Sequence, residues 1–437
     1  MNSKTLTDFY VFPIIGYFFL SVIIYLILFQ FGYVENIPNV TTLNSGDAGF
    51  YFSIKEKGYE YSADGAGNSG FFPLFSYLWK ITQLDWLGIS LLNCLIFLVS
   101  MSWLCRFLKP DYIVLGIFMA SPYLFFMRVP LSESLFFFFC VSIVFGLKNK
   151  DWRYVFLGVL FASMTRAVFL FFIPAFVGMA WMSQPIQKFW SKVEWKKIAF
   201  VYLLPCFLGL ATVVLIQYFQ TGKWFAYFEV QSRVWGRSFS FPAFPLGYRT
   251  PHWNLQGSYL SFWIGTLTGV VGLKLLWEWL SKKNILQHLK KYELFSIIFI
   301  SMSLCSVLFF NAKWSWNWDA DTQAGFMSTH FTGINRYIHP TVFFFVLLTY
   351  FFRVKKLSTL QYLGIFFFSN VLWFCFDLEY YLHIQRYLKF LIPNLIIVVL
   401  LAYHALRWKS LGIGIIIASM ILQGILFDYF MGYTQLD

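Results

Sequence analysis

The run YVFPIIGYFFLSVIIYLILFQFGY, residues 10–33, decides the fold of this chain. It contains no charged side chain. It is longer than the ~20 apolar residues that a helix needs to cross the hydrocarbon of a bilayer, and too long for the apolar core of a signal peptide. The run therefore predicts a membrane-spanning helix near the amino terminus.

The composition extends this conclusion to the whole chain. Of the 437 residues, 59% are hydrophobic and only 12% are charged, whereas about 25% are charged in an ordinary soluble domain. A single aqueous core stops growing near ~250 to 300 residues, so it could not hide 56 Phe and 18 Trp. These values exclude soluble, disordered and collagen-like classes. We predict an all-α polytopic membrane protein that forms one integral-membrane domain over residues 1–437.

Further apolar runs predict the other crossings. They lie at residues 87–107, 112–127, 131–147, 155–182, 199–219, 258–280, 294–310, 337–352, 360–376, 388–406 and 411–430. Lys and Arg collect in short cytoplasmic loops, and the basic clusters share one side only if residues 155–182 cross twice. We therefore predict about 13 transmembrane helices, with a range of 11–13, the amino terminus inside and the carboxyl terminus outside.

The same orientation explains the basic balance of the chain. The formal net charge is +13, and the excess of Lys and Arg lies in the predicted inner loops. No basic stripe is interleaved with exposed aromatic residues, so no nucleic acid is predicted as a partner. Three predicted outer loops, residues 34–86, 220–257 and 311–336, are long and chemically varied. We therefore expect the working face to be the outer one.

The first outer loop contains the candidate catalytic residue, Asp47. It lies in Gly-Asp-Ala-Gly-Phe-Tyr, before residues 48–54, which predict a short interfacial helix with its aromatic side towards lipid. Asp47 is either an N-cap of this helix, favoured there by the helix dipole, or a general base where lipid and water meet. The aromatic and proline residues of this loop are candidates for substrate binding or for structure: Tyr51, Tyr59, Phe72 and Pro73.

Charged residues also occur at the outer turns of short apolar hairpins. Arg128 and Glu133 flank one such turn, and ionised groups at membrane depth require a protein or water environment. They either pair with each other or contact substrate. Arg166 has no acidic residue nearby in sequence. It either extends to lipid headgroups or grips a phosphate with two donors at once.

The second and third outer loops supply further candidates. Arg233 and Arg237 are four residues apart, hence on one face if helical, and Trp235 lies between them as an interface anchor or a sugar-stacking ring. His330, Arg336 and Tyr337 occur in and after the third loop. Asp-x-Asp at residues 319–321 is a weak metal motif, so no metal or other cofactor is expected, although a divalent metal is not excluded.

The ordered set of these motifs resembles the PIG-V family, the GPI mannosyltransferase 2 proteins and their bacterial relatives, within the GT-C class of membrane glycosyltransferases. The matching residues are Asp47-Ala48, Phe52-x-Ile54, Gly58-Tyr59, Phe71-Phe72-Pro73-Leu74, Ser132-Glu133-Ser134-Leu135-Phe136, Thr165-Arg166, Thr221-Gly222, Trp235-Gly236-Arg237 and Arg336-Tyr337. The resemblance departs at Ser45-Gly46, where the family commonly has an aromatic residue, and at a glycine-rich insertion over residues 63–68.

The resemblance implies a GT-C-like helical bundle and an inverting glycosyltransferase. Such an enzyme moves a hexose, mannose in eukaryotic members, from a polyprenyl-phosphate-linked donor to a hydroxyl of a glycan, glycolipid or protein. Asp47 would be the base, and Arg166 with Arg233, Arg237 or Arg336 would bind the donor phosphate. We expect a multi-pass protein of a bacterial inner membrane with a periplasmic site, or of the endoplasmic reticulum membrane in a eukaryote.

Two other classes of function remain open from the sequence. A transporter or flippase of a lipid-linked substrate would place its charges along a path through the bilayer and would show an internal repeat. A non-catalytic partner subunit would tolerate loss of Asp47.

Overall fold

The computed structural model describes residues 10–62, 67–167, 169–185, 192–244, 246, 252–282, 285, 288–310, 313–317, 325–329, 333–354, 356–375 and 384–432. The helices are α1 (Val11–Gln30), α2 (Val40–Leu43), α3 (Ala48–Lys57), α4 (Pro73–Thr82), α5 (Trp86–Leu108), α6 (Tyr112–Met119), α7 (Glu133–Asn149), α8 (Trp152–Thr165), α9 (Phe169–Met182), α10 (Lys192–Lys197), α11 (Leu204–Thr221), α12 (Ala226–Arg233), α13 (His252–Leu280), α14 (Lys291–Phe309), α15 (Ile334–Ile338), α16 (Val342–Arg353), α17 (Thr359–Val371), α18 (Ile384–Leu406) and α19 (Lys409–Gly432). Short 3₁₀ segments occupy Asn68–Gly70, Pro122–Arg128 and Leu372–Cys375, and the π-helical segment Ile198–Leu203 precedes α11.

Each run predicted to cross the membrane contains a helix. Residues 155–182 contain two, α8 and α9, because the chain leaves helical geometry at Arg166, which has φ −150° and ψ 153°. The predicted division of this run into two helical pieces is confirmed. Arg166 therefore lies at the end of a helix rather than in the middle of one.

Length and composition identify the helices that are able to span a bilayer. Six pass in the described part of the chain: α1, α5, Trp195–Thr221, Ser258–Leu280, α14 and α19. A seventh is obtained if Pro122–Arg128 and α7, which meet at 102°, form one broken span. Leu170–Met182, α16 and Pro393–Leu406 are apolar but shorter. The chain is thus a helical, multi-pass membrane protein, and the figure of 13 crossings stays a prediction.

A sharp bend between Pro122–Arg128 and α7 places the start of α7 inside the protein. Pro130 lies within the bend, and proline has no backbone N–H to continue a helix. The buried Asn93 side chain of α5 supports it by donating to the Val129 carbonyl at 2.6 Å and to the Leu131 carbonyl at 2.9 Å. These bonds satisfy carbonyl groups that the bend removes from helical pairing. Glu133, the first residue of α7, is therefore fixed at a buried helix start.

Glycines allow α7 and α8 to pack closely. A Cβ at Gly158 would lie 2.8 Å from the Phe139 carbonyl oxygen and 3.0 Å from the Ile143 amide nitrogen, both backbone atoms of α7. Small residues permit this approach of two membrane helices. The α7 and α8 hairpin connects Glu133 to Arg166, so its close packing sets the distance between two charged residues.

Replacement of Gly158 by alanine tests this packing. Because the clashing atoms belong to the backbone, we expect Gly158→Ala to lower the free energy of unfolding by about 1–3 kcal/mol. Gly414→Ala in α19 is the control, since no atom lies within 4 Å of its added Cβ, and alanine favours a helix over glycine. Unfolding in detergent measures both variants, and equal stability of the two would contradict the packing argument.

The third outer loop is not wholly irregular. It contains an antiparallel hairpin of β1 (Lys313–Asn317) and β2 (Gly325–Thr329), in which the backbones of Ser315 and Met327 are paired. The second outer loop is hydrogen-bonded to the end of β2. The Thr329 amide donates to the Ala243 carbonyl at 3.0 Å, and the Ala243 amide donates to Thr329 Oγ1 at 2.8 Å. The all-α prediction needs this small correction, and two of the predicted outer loops are joined.

Candidate functional site

Two carboxylates and two guanidinium groups form one ion-pair cluster. Glu133 Oε1 lies 2.6 Å from Arg166 Nη1 and 2.5 Å from Arg336 Nε. Arg336 Nη1 also donates to Asp47 Oδ2. The four residues come from α7, the end of α8, α15 and the residue before α3. Arg336 bridges the two carboxylates, so the cluster depends on the tertiary fold.

Solvent exposure increases across the cluster in one direction. The side chain of Glu133 is fully buried, that of Arg166 is 10% exposed, that of Arg336 is 20% exposed and that of Asp47 is 28% exposed. The second carboxylate oxygen of Glu133 has no hydrogen-bond partner among the described residues. The cluster therefore has a closed end at Glu133 and an accessible end at Asp47, where a molecule from outside would arrive.

A third arginine joins the cluster through Tyr337. The Arg237 guanidinium interacts electrostatically with the Tyr337 phenol, and the Arg166 guanidinium carbon lies 5.7 Å from the centre of the Tyr337 ring. Arg237, Arg166 and Arg336 all lie close enough to Tyr337 to interact electrostatically with its phenol. Three guanidinium groups therefore surround one ring.

The arginines of the outer loops remain charged. Desolvation opposes the charge of Arg336, yet Glu133 and Asp47 raise the pKa of its guanidinium well above the ordinary range. Arg237 is exposed to solvent, and the neighbouring phenols Tyr337 and Tyr227 raise the pKa of its guanidinium. Three guanidinium groups thus meet two carboxylates, which leaves an excess of one positive charge. The arrangement is suited to holding an anion.

The predicted pair of Arg128 and Glu133 is wrong. Arg128 Nη2 donates to Ser21 Oγ and, at 3.3 Å, to Gln423 Oε1, and its guanidinium carbon lies 4.8 Å from the centre of the Phe18 ring. Because the chain bends between the two residues, Arg128 points to α1 and α19 while Glu133 points to α8 and α15. Arg166, which has no acidic residue nearby in sequence, pairs with the distant Glu133 in the folded chain.

Asp47 occupies the N-cap position of α3 without capping it. Its side chain accepts no hydrogen bond from the first turn of that helix, and it pairs with Arg336 instead. The capping alternative is therefore wrong. The aromatic residues of α3 contact protein rather than lipid, since Tyr51 is buried and the Phe52 ring lies 4.8 Å from that of Trp86.

The aromatic and proline candidates of the first loop support the site. The Tyr51 hydroxyl lies 2.9 Å from Ser132 Oγ, next to Glu133. The buried Tyr59 hydroxyl donates to the Phe71 carbonyl at 2.8 Å. Phe72 packs on Tyr227 with ring centres 5.0 Å apart, and Pro73 is the first residue of α4. These residues tie the first loop to α7 and α12, which indicates a structural role.

The remaining candidates differ in position. Helix α12 ends at Arg233, so the condition for a shared helical face is not met and Arg233 and Arg237 do not lie on one helix. Arg233 is exposed, and none of the contacts that define the cluster involves it. Trp235 lies edge-on to Phe50 with ring centres 6.4 Å apart. His330 and residues 318–324 lie outside the described part of the chain.

Several polar residues near the site were not singled out from the sequence. Gln217 of α11 is buried and donates to the Ser69 carbonyl at 2.9 Å, while its Oε1 accepts from the Tyr227 amide at 3.2 Å. Asn68 joins the Gly58 carbonyl at 2.8 Å to the Glu60 amide at 2.8 Å. A polar residue within an apolar helix is the signal that could have identified Gln217. Asn68 has no such signal.

Both described carboxylates of the site face guanidinium groups. Asp47 and Glu133 are each paired with Arg336, and Glu133 is also paired with Arg166, so both carboxylates already interact with cations. The donor set suits an anionic ligand better than a metal ion.

Comparisons with family models, with curated proteins and with solved structures find no match for this chain. The resemblance to the PIG-V family therefore stays a prediction. Residues far apart in the sequence form a partly open, positively charged cluster around one accessible carboxylate, in a multi-pass membrane protein.

Proposed function

We propose that this cluster is the active site of an inverting glycosyltransferase whose donor is a polyprenyl-phosphate-linked hexose. Mannose is the first sugar to test. The observation that carries the proposal is the meeting of Arg166, Arg237 and Arg336 beside Asp47, the most exposed member of the ion-pair cluster. A sugar phosphate needs cations and an acceptor hydroxyl needs a base, and the cluster offers both within one network.

The arginines are the groups that would stabilise the leaving phosphate. As the bond between the anomeric carbon and the phosphate oxygen breaks, negative charge develops on the polyprenyl phosphate. Guanidinium groups already in position stabilise such charge most strongly where water is excluded, and an arginine can donate two parallel hydrogen bonds to a phosphate. Arg166 is only 10% exposed, so its charge is little screened by solvent.

Asp47 is the group that would accept the proton of the acceptor. In the described arrangement its carboxylate is paired with Arg336. A donor phosphate would compete for Arg336 and leave Asp47 available to the acceptor hydroxyl. The acceptor oxygen then attacks the anomeric carbon from the side opposite the phosphate, and its proton passes to Asp47. A base in hydrogen-bond reach contributes about 10²–10⁴-fold to such a step.

The position of the cluster supports a lipid-linked donor. Glu133 begins a helix that forms part of a candidate broken span, and the cluster is therefore next to the apolar bundle rather than in a separate soluble domain. A polyprenyl chain lies in the bilayer while its phosphate lies at the interface. A site with cations at the end of apolar helices can bind both parts.

A panel of polyprenyl-phosphate hexoses tests the proposal. Purified protein in lipid nanodiscs is incubated with polyprenyl-phosphate mannose, glucose or galactose and a panel of glycan and glycolipid acceptors, and release of polyprenyl phosphate is followed. We expect release with at least one donor and inversion at the anomeric carbon of the product. Transport of intact donor across the bilayer without release of polyprenyl phosphate would favour the flippase alternative.

Arg166→Ala tests the assignment of the phosphate site. Hydrogen bonds to charged groups are worth about 1.5–3 kcal/mol, so we expect donor binding to weaken by about 10-fold or more. Arg153→Ala is the matched control, because Arg153 is an exposed arginine at the opposite end of the same helix, α8. Binding of a labelled donor measures both variants, after their thermal stability has been compared. Equal weakening in both would remove Arg166 from the phosphate site.

A further inference from the structure

A charged cavity lies at the end of α16 that is remote from Arg336 and Tyr337. Helix α16 begins shortly after Arg336 and Tyr337 and ends at Arg353, which lines this cavity. The volume of the cavity is about 460 Å³. The site proposed above uses none of its residues, so the cavity requires a separate explanation.

Positive charge dominates the lining of this cavity. Its five cationic residues are Lys109, Lys290, Arg353, Arg407 and Lys409. Only two carboxylates, Asp111 and Glu293, line it with them, so the lining has an excess of three positive charges. Lys148 at the end of α7 is close enough to Lys109 and Lys290 to interact with both electrostatically. Clustered cations repel one another unless an anion lies between them.

Both carboxylates of the lining already have protein partners. Glu293 accepts two hydrogen bonds from Arg353, at 2.7 Å and 2.8 Å, and one from the Lys290 amide at 2.9 Å. Asp111 caps α6 by accepting from the Ile113 amide at 2.8 Å. The carboxylates therefore fix the walls of the cavity, and Lys109, Lys290 and Lys409 line it with them.

The apolar part of the wall is formed by rings and aliphatic side chains. Tyr292, Phe352 and Tyr403 line the cavity and are mostly buried. The Lys290 ammonium lies 5.8 Å from the centre of the Tyr292 ring, and Arg407 donates to the Phe352 carbonyl at 2.7 Å. A ligand in this cavity would contact apolar surface with one part and cations with another.

The ends of the candidate spans place this cavity at the membrane surface. Helix α5 ends at Leu108, α14 begins at Lys291 and α19 begins at Lys409, and all three are long and apolar enough to cross a bilayer. The cavity is therefore at the level where the apolar helices meet water. Phosphate groups of lipids occupy this level, and cationic pockets between membrane helices bind anionic headgroups.

We propose that this cavity binds an anionic phosphate ligand of the size of a phospholipid headgroup, with Lys109, Lys290 and Lys409 contacting the phosphate. The shared chemistry is a phosphate with net negative charge, whether it belongs to a lipid or is free in solution. A lipid would contact both the cations and the apolar wall, whereas free phosphate would contact only the cations.

Ligand-dependent thermal stability of the full chain in detergent tests this site. The probes are dihexanoylphosphatidylglycerol, dihexanoylphosphatidylcholine and inorganic phosphate, titrated against the wild type, Lys290→Gln and Arg106→Gln. Arg106 is the matched control because it is an exposed cation in the last turn of α5 that does not line the cavity. One lysine near a charged headgroup contributes about 1 kcal/mol, so we expect about fivefold weaker binding in Lys290→Gln.

The three probes distinguish the sources of the phosphate. If phosphatidylglycerol raises Tm more than phosphatidylcholine and inorganic phosphate do, the ligand is a lipid headgroup. If inorganic phosphate raises Tm as much as phosphatidylglycerol does, the ligand is a free phosphate. Both results also require that binding weakens in Lys290→Gln and is unchanged in Arg106→Gln. The proposal is overturned by equal binding of phosphatidylglycerol and phosphatidylcholine, by unchanged binding in Lys290→Gln, or by equal weakening in Lys290→Gln and Arg106→Gln, because binding would then be non-selective or outside this cavity.

Discussion

Asp47→Asn is expected to lower the turnover number with a polyprenyl-phosphate hexose by about 10²–10⁴-fold, the contribution of a positioned general base. Asparagine has nearly the shape of aspartate but cannot accept the proton of an acceptor hydroxyl at neutral pH. The donor phosphate is assigned to the arginines, and Asp47→Asn removes the carboxylate that competes with it for Arg336, so donor binding should not weaken. The measurements are release of polyprenyl phosphate under saturating donor and equilibrium binding of a labelled donor.

Glu56→Gln is the control for Asp47→Asn. Glu56 lies on α3, the helix that Asp47 precedes, and its exposed side chain pairs with Lys55. This variant should retain turnover, because it removes an exposed carboxylate from the same helix without changing the cluster. Full activity of Asp47→Asn would remove Asp47 from the mechanism. Release of donor phosphate by the wild type in the same assay would leave the class of reaction intact.

Glu133→Gln is expected to lower the free energy of unfolding by about 3–5 kcal/mol, the usual effect of removing one partner from a buried ion pair. Glu133 is fully buried and bonded to both Arg166 and Arg336. Glutamine keeps the size of the side chain but leaves the two guanidinium groups with Asp47 as their only carboxylate in the cluster. Equilibrium unfolding in mixed detergent micelles measures the change.

A double variant separates charge from packing at Glu133. Glu133→Gln combined with Arg166→Gln removes one charge of each sign, so we expect it to be more stable than Glu133→Gln alone. Residues in one network show such non-additivity. Glu56→Gln is again the control, since an exposed ion pair contributes about 0–1 kcal/mol. Additive losses in the double variant would show that Glu133 stabilises the fold through packing rather than through charge.

Local sequence predicted the helices well because local chemistry determines them. A long apolar run has one stable form in lipid, since its backbone groups must bond within the segment. Residues 10–33, 87–107 and 411–430 therefore correspond closely to α1, α5 and α19. The division of residues 155–182 was also accessible, because Arg166 interrupts an otherwise apolar run. The hairpin of β1 and β2 was not predicted, because strand pairing depends on contacts between two segments that are separated in the sequence.

The residue types of the site were accessible from the sequence, but their partners were not. Glu133 and Arg166 were singled out because ionised residues beside apolar runs are unusual. Asp47, Arg237 and Arg336 were singled out from motifs in the predicted outer loops. The chain separations between partners are large, 203 residues for Arg336 and Glu133 and 289 for Arg336 and Asp47. Proximity in sequence instead suggested Arg128 as the partner of Glu133, and the bend after Arg128 makes that pair impossible.

The sequence by itself determined that this protein is helical, lies in a membrane and has its charges at the ends of apolar segments, because the transfer of side chains between water and lipid depends on composition. Only the tertiary structure decided which charges meet. An ion pair requires a separation of a few ångströms between side chains, and that separation is set by how α7, α8 and α15 pack and by the bend that Asn93 supports.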